Sequence, residues 1–372
     1  MPGIQVQRPG RVRRVAKETW ILPGKGCDRA SGAAAVRGLP SGQARSGAPR
    51  CVRDEDCLTH MELPGSVRFC KLSAGGNDFI CLDNTTGEYE ALLSSPALTC
   101  FVRALCRRGL AVGADGVIFA CPKGRSRSAS IRARFLEPDG SEAELCGNGA
   151  ACFTYWVTDK RLVRDRHLAI LTAAGVAHGC RLRSERGDAT RVRVCVPVPR
   201  VLELGVLVEA KGRVWALDHI VTGTPHAVAF VQNLQALDVA HWGPGIRHHP
   251  HFQPRGVNAN FVQVLGVGQL AVRTFEFGVE AETLACGTGS AAAAIAACLR
   301  EDWPRPYRTW ARPVLVQTRG GETLRVRFTI CGRRVTDVCL ETRVRAVYEG
   351  TLRPEFVRAI PVVGGAGTAA LR

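Results

Sequence analysis

Two cysteines in this 372-residue chain open the same short phrase: Cys146-Gly147-Asn148-Gly149 followed by alanines, and Cys286-Gly287-Thr288-Gly289 followed by Ser290 and an alanine run. A thiol just ahead of a glycine-rich helix start is a proton-transfer group beside an anion site. The first backbone N–H groups of a helix have no partner within it and, together with the dipole, favour negative charge, a thiolate included. Either phrase alone reads as an ordinary buried thiol. Its duplication favours a pair of related half-domains that face one ligand. Inverting a stereocentre calls for such a pair, because a proton must leave one face of the carbon and another return to the opposite face. One sulfur then starts as thiolate and the other as thiol. The amides of Gly147-Asn148 and Gly287-Thr288 would face the charge that develops as a carbanion delocalises onto an α-carboxylate, an oxyanion-hole type of stabilisation. This chemistry needs no pyridoxal cofactor. It needs no metal either: there is no Cys-x-x-Cys spacing, and His248-His249-Pro250-His251 reads as an exposed loop.

The thiols require helices and sheets to hold them. Helix-compatible runs follow each phrase, Ala150 to Thr158 and Ser290 to Arg300, and their small residues permit close packing inside a curved sheet. Around them lie short β-rich runs ending at turn residues, among them 67–72, 79–82, 168–172, 192–198, 213–221, 227–231, 260–265, 270–275, 315–318, 324–329 and 336–340. Each half is thus expected to be a sheet wrapped on one helix.

Composition bounds the rest. At 46% hydrophobic the chain can bury two cores. Its longest apolar stretch, Ser290 to Leu299, is too short and too weakly hydrophobic to span a bilayer, and no secretory leader begins the chain. The net charge of +17 is an arginine excess, with only six lysines among 50 basic residues. It is spread along the chain without a basic stripe interleaved with aromatics, which argues against specific nucleic-acid binding. Sixteen cysteines, several in apolar runs (Cys70, Cys81, Cys195, Cys298, Cys339), read as small buried hydrophobes of a reduced, cytoplasmic protein. Residues 1–65 are punctuated by Gly, Pro, Ser and Ala without periodicity, the composition of a disordered basic extension. Met61, just before the first ordered strand, is an alternative start, and 354–372 read as a loose tail.

The order and spacing of five motifs resemble the diaminopimelate epimerase family: Gly76-Asn77-Asp78-Phe79, Asp139-Gly140-Ser141-Glu142 ahead of Cys146-Gly147-Asn148-Gly149, Pro225-His226, Asn258-Ala259-Asn260-Phe261, and Glu282-Thr283-Leu284-Ala285-Cys286-Gly287-Thr288-Gly289. The resemblance spans roughly residues 66 to 353. It implies an α+β fold of two pseudo-symmetric domains, each a curved β-sheet wound around a central helix, with the active site in the cleft between them. The domains implied are 66–197, with a returning strand at about 345–353, and 198–344. It further implies a cofactor-independent isomerase that interconverts L,L- and meso-2,6-diaminopimelate, in lysine and peptidoglycan-precursor biosynthesis, with Cys146 and Cys286 as the two bases. By the same resemblance His226 sits near one thiol and Glu276 near the other, and Asn77 and Asn258 lie in the substrate pocket.

Two departures concern the far end of that pocket. The family's Glu-Arg-Gly is Glu276-Phe277-Gly278 here, and its arginine holds the substrate's distal carboxylate. A family asparagine that also contacts the distal end is Glu137, and Thr224 before Pro225-His226 replaces another common asparagine, a tolerated variation. If both Phe277 and Glu137 face the ligand, a distal carboxylate loses its partner, at a cost of several kcal/mol for an unpaired buried charge. A racemase for a basic amino acid (ornithine, lysine, arginine or histidine) is therefore the second reading. Arg273, Arg255 and Arg134 are the arginines in reach if the first holds. An inactive amino-acid-binding relative is the third. The resemblance also allows a homodimer through exposed sheet surfaces, and no membrane partner is expected.

Overall fold

The computed structural model describes residues 64–360, apart from 144, 183–189 and 333. The proposed basic extension therefore lies almost wholly outside the described residues, as does the end of the tail. The first part of that tail is not loose: Pro354–Arg358 form a short helix opened by proline, and Ile360 is buried against the first half's outer core.

Among the described residues seventeen strands form one continuous sheet. The first half holds β1 (Arg68–Ala74), β2 (Asn77–Asp83), β3 (Gly116–Cys121), β4 (Ile131–Leu136), β5 (Glu142–Ala143), β6 (His167–Thr172), β7 (Gly175–Arg181) and β8 (Arg191–Cys195). The second holds β9 (Leu202–Ala210), β10 (Arg213–Thr222), β11 (Thr224–Phe230), β12 (Asn258–Gly266), β13 (Gln269–Glu276), β14 (Ala281–Thr283), β15 (Val314–Thr318), β16 (Thr323–Cys331) and the long β17 (Arg334–Thr351). The helices are α1 (Glu90–Leu93), α2 (Ala97–Cys106), α3 (Gly147–Asp159), α4 (Val239–Arg247), α5 (Gly287–Arg300), α6 (Arg305–Arg308) and α7 (Pro354–Arg358).

The halves repeat one plan. β2 and β3 pair in parallel across α1 and α2, as β11 and β12 do across α4. β4 and β6 pair in parallel across α3, as β13 and β15 do across α5. Parallel neighbours need such crossovers, and strands covered on both faces read as continuous apolar runs. Thus Phe79 and Cys81 of β2 face α3, while Ile80 and Leu82 face α2 on the other side. The sequence pattern suggested only two helices. Among the described residues α2 and α4 form outer layers as well, α2 burying Phe101, Val102 and Leu105, and α4 lying over Trp215, Ala229 and Phe261.

The central helices are enclosed. Ala291 through Cys298 of α5 are fully buried, and the small side chains let the sheet close around the helix. β17 ties the halves together, pairing with β16 over its first residues, with β8 at 339–343 and with β1 at 344–351. At that crossing Cys339 and Cys195 are joined by a disulfide. The expectation that these two are merely buried hydrophobic thiols is therefore wrong. They face each other across an antiparallel pair, a contact between residues 144 positions apart that no local pattern reveals.

Candidate active site

Cys146 and Cys286 are the N-caps of α3 and α5, with nearly the same backbone: φ −110°, ψ 120° and φ −114°, ψ 115°. Each sulfur accepts a hydrogen bond from the amide of the second glycine, Gly149 or Gly289, at 3.4 Å. The phrase Cys-Gly-x-Gly follows from close approach. A Cβ on Gly287 would stand 3.0 Å from Leu340 Cδ1 of β17 and 3.8 Å from Gly147 Cα, and one on Gly289 would strike Asn260 Oδ1 at 2.3 Å. The two helix starts therefore meet end to end over Leu340. Both thiols line one cavity of about 1240 Å³ between the halves, Cys286 buried and Cys146 partly open to it.

Proton control converges on Cys286. His226 is fully buried; its Nδ1 faces the Asn260 amide nitrogen at 3.2 Å, and its Nε2 lies 2.9 Å from Thr224 Oγ1. An amide nitrogen only donates, so Nδ1 accepts and Nε2 carries the proton toward Thr224. Thr224 Oγ1 lies 3.1 Å from Thr288 Oγ1, which lies 3.6 Å from the Cys286 sulfur. The Glu276 carboxylate bears on the same thiol, whose charged form it disfavours, and accepts from the Thr283 hydroxyl. The expected division, His226 at one thiol and Glu276 at the other, is not what the chain builds. His226 connects only to Cys286, whereas Glu276 bears on Cys286 and on Cys146 alike, because β11 and β13 flank α5 in the same half and Glu276 stands at the cavity both thiols line.

Burial sets the protonation. It pushes the Cys146 thiol up to about 12 and Cys286 well above its ordinary value, against the lowering pull of the helix-start amides. Burial also raises Glu276 to about 7 and holds His226 down to about 3, a neutral imidazole. Glu137 is raised too, by the desolvating cleft walls and then by Asp139 and Asp115.

The remaining expected residues also gather at this cavity, which Asn77, Glu137, Asn148, Thr224, Asn258, Phe277, Gly147, Gly287 and Thr288 all line. Asn148 donates to Asn77 Oδ1 at 2.8 Å, tying the β1–β2 turn to the α3 start. Asn77 in turn donates to Asp115, a site residue that no sequence signal marked. Asn258 Oδ1 accepts the Phe277 amide at 2.7 Å. Thr283 and Leu340 went unmarked as well; the first lies within the last motif, whereas nothing local marks the second. Of the arginines in reach, Arg273 is paired with Glu282 and Arg134 with Glu142, while Arg255 lines the cavity.

The class comes from fold and site together. Similar architecture occurs in the Bacillus anthracis phenazine biosynthesis protein of the PhzF family (TM-score 0.59, 16% identity, covering 78% of this chain and 100% of that one). It also occurs in a hydroxyproline epimerase from Agrobacterium vitis (TM-score 0.59, 15% identity, 78% and 94%). This is a two-domain epimerase-type fold with a cysteine at each central helix start. Residues 69–186 and 219–332 match the diaminopimelate epimerase family. The chain is 38% identical over 293 residues to the diaminopimelate epimerase of Methanothrix thermoacetophila (74% of this chain, 98% of that protein). It is 34% identical to that of Aquifex aeolicus (78% and 99%). The chain belongs to the diaminopimelate epimerase family.

Proposed function

We propose that this chain is an isomerase that interconverts L,L- and meso-diaminopimelate by two-base proton transfer, with Cys146 and Cys286 alternating as base and acid. The observation that carries the reading is the pair of cysteine N-caps on helix starts that meet over Leu340. One thiolate removes the α-proton, the electron pair passes into the α-carboxylate, and the opposite thiol delivers its own proton to the other face. The two sulfurs end with their roles exchanged, so the reaction consumes no other reagent. Glu276, near neutrality, takes the Cys286 proton when that residue must act as base. The His226, Thr224 and Thr288 chain points a donor at the resulting thiolate. A cytoplasmic location is part of the reading; among the described residues no helix is long and apolar enough to cross a membrane. A homodimer is part of the reading, and sedimentation tests it.

Deuterium wash-in at the α-carbon of L,L-diaminopimelate, followed by NMR, is the deciding experiment. Exchange with formation of the meso isomer is expected. Exchange confined to ornithine, lysine, arginine or histidine would replace the reading with a basic amino-acid racemase. No exchange of any of these would leave an amino-acid-binding relative.

A further inference from the structure

Leu340 makes the apolar contact between the two helix starts; a polar one lies at the turn between β15 and β16, residues 319–322 of the second half. On one side of that turn the Gly320 amide donates to the Leu284 carbonyl at 2.9 Å and Arg319 pairs with Glu282 at 3.0 Å, so it holds the segment that leads into Cys286. On the other side Glu322, at the cavity wall, binds the first half. One carboxylate oxygen accepts the Gly75 amide at 2.9 Å, and the second accepts from Arg345 at 2.6 Å. Gly75 forms part of the β1–β2 turn, and Arg345 lies opposite Ser73 on the stretch of β17 that pairs with β1.

The β1–β2 turn is tightly enclosed. A Cβ on Gly75 would strike Asn148 Oδ1 at 2.4 Å, and one on Gly76 would meet Leu284 Cβ at 2.7 Å. The next residue, Asn77, accepts from the Asn148 side chain at 2.8 Å, which ties the turn to the helix start that Cys146 caps. Glu322 therefore links the Cys146 side of the site to the Cys286 side. Its side chain is 16% exposed, whereas that of Arg345 is 62% exposed. An ion pair so open to solvent contributes little, and the weight falls on the shielded, charge-assisted bond to the buried Gly75 amide.

We propose that Glu322 is a positioning residue for epimerisation: through the Gly75 amide it sets the turn carrying Asn77 against the segment before Cys286, and so aligns the two sulfurs on one α-carbon. The inference rests on the functional reading above.

Three substitutions of Glu322 separate reach from charge. Glu322→Gln keeps an oxygen that can accept the Gly75 amide but drops the charge, Glu322→Asp keeps the charge on a shorter side chain, and Glu322→Ala removes both. Turnover of L,L-diaminopimelate is measured well below each variant's melting temperature by circular dichroism. Glu322→Asp and Glu322→Ala should lower kcat about tenfold or more, with a smaller change in KM, since proton transfer tolerates little displacement. Glu322→Gln should stay within about threefold of the native kcat, and so should Arg345→Ala, which cuts only the exposed ion pair. Native kcat in folded Glu322→Asp or Glu322→Ala, or a Glu322→Gln protein as slow as Glu322→Asp, overturns the Glu322 assignment alone. Failure of the native protein to exchange the α-proton of diaminopimelate overturns the functional reading and this inference with it.

Discussion

The Nε2 of His226 and the Oγ1 of Thr224 are 2.9 Å apart, and this contact starts a run of donors that ends on the sulfur of Cys286 through Thr288. Because Nδ1 is occupied by Asn260, the imidazole cannot take a proton without breaking a buried bond, and burial keeps it neutral. His226 therefore positions hydroxyls. Thr224→Val should cut the chain and destabilise the Cys286 thiolate. The lost bond to a charged group corresponds to about a tenfold or greater fall in kcat/KM. The pH profile of Cys286 alkylation should move upward, and Thr224→Ser should restore it. An alkylation profile that does not move would show that the run of hydroxyls carries nothing.

Two bases on opposite faces of one carbon cannot substitute for each other. Cys146→Ala and Cys286→Ala should each abolish epimerisation, and the serine variants should retain at most a small residual rate, since a hydroxyl is a far weaker acid. Racemisation assays with purified meso and L,L isomers check this in both directions. Full activity of Cys146→Ala would end the two-base proposal.

Glu276 and His226 give opposite pH dependences. Folded Glu276 keeps its proton up to about 7, whereas the unfolded chain releases it near ~4.3, so the folded state binds more protons between those values. Its contribution to stability therefore falls as pH rises through that window. His226 is held down to about 3 against ~6.5 when unfolded; its contribution is intact above ~6.5 and is lost as pH falls toward 3. Glu276→Gln should remove the first slope, seen as a gain in urea midpoint at pH 7.5 relative to pH 5. The same variant should flatten the rise of kcat/KM with pH near 7 while lowering its plateau. A rise near pH 7 that survives in Glu276→Gln would assign that limb to another group.

Both thiols also line the same cavity, each at the start of one of two helices that meet over Leu340. Oxidation should therefore join Cys146 to Cys286 and stop turnover, with recovery on reduction. Peptide mapping should find two fewer titratable thiols beyond the Cys195–Cys339 pair already present. Full activity after oxidation with both thiols still free would mean that they do not approach each other.

What could be read from the chain was what is local. The helix starts at Cys146 and Cys286 are set by four consecutive residues each, and the apolar runs of β2 and β12 announce strands buried on both faces. The outer helix α2 carried an amphipathic signal that the β-rich surroundings masked. The partition of His226 and Glu276 between the thiols depended on which strands flank α5, a matter of topology that spacing alone cannot decide.

The contact beneath both helix starts is also open to a structural test. Leu340 belongs to the strand shared by both halves, and its Cδ1 lies 3.3 Å from where a Cβ on Gly147 would stand and 3.0 Å from the same point on Gly287. It is 3% exposed, so truncation to alanine removes buried contacts directly beneath both helix starts. Leu340→Ala should cost about 2–5 kcal/mol of stability, the range for such deletions in a packed core. Beyond that loss, it leaves the helix starts free to shift against each other, and proton transfer between two sulfurs and one carbon is sensitive to displacements of an ångström. We expect kcat to fall by at least tenfold at a temperature where the variant is fully folded by circular dichroism. Leu340→Met, which nearly conserves volume, should retain most of both properties. If Leu340→Ala loses stability yet keeps native kcat, the shared strand supports the fold without aligning the two thiols.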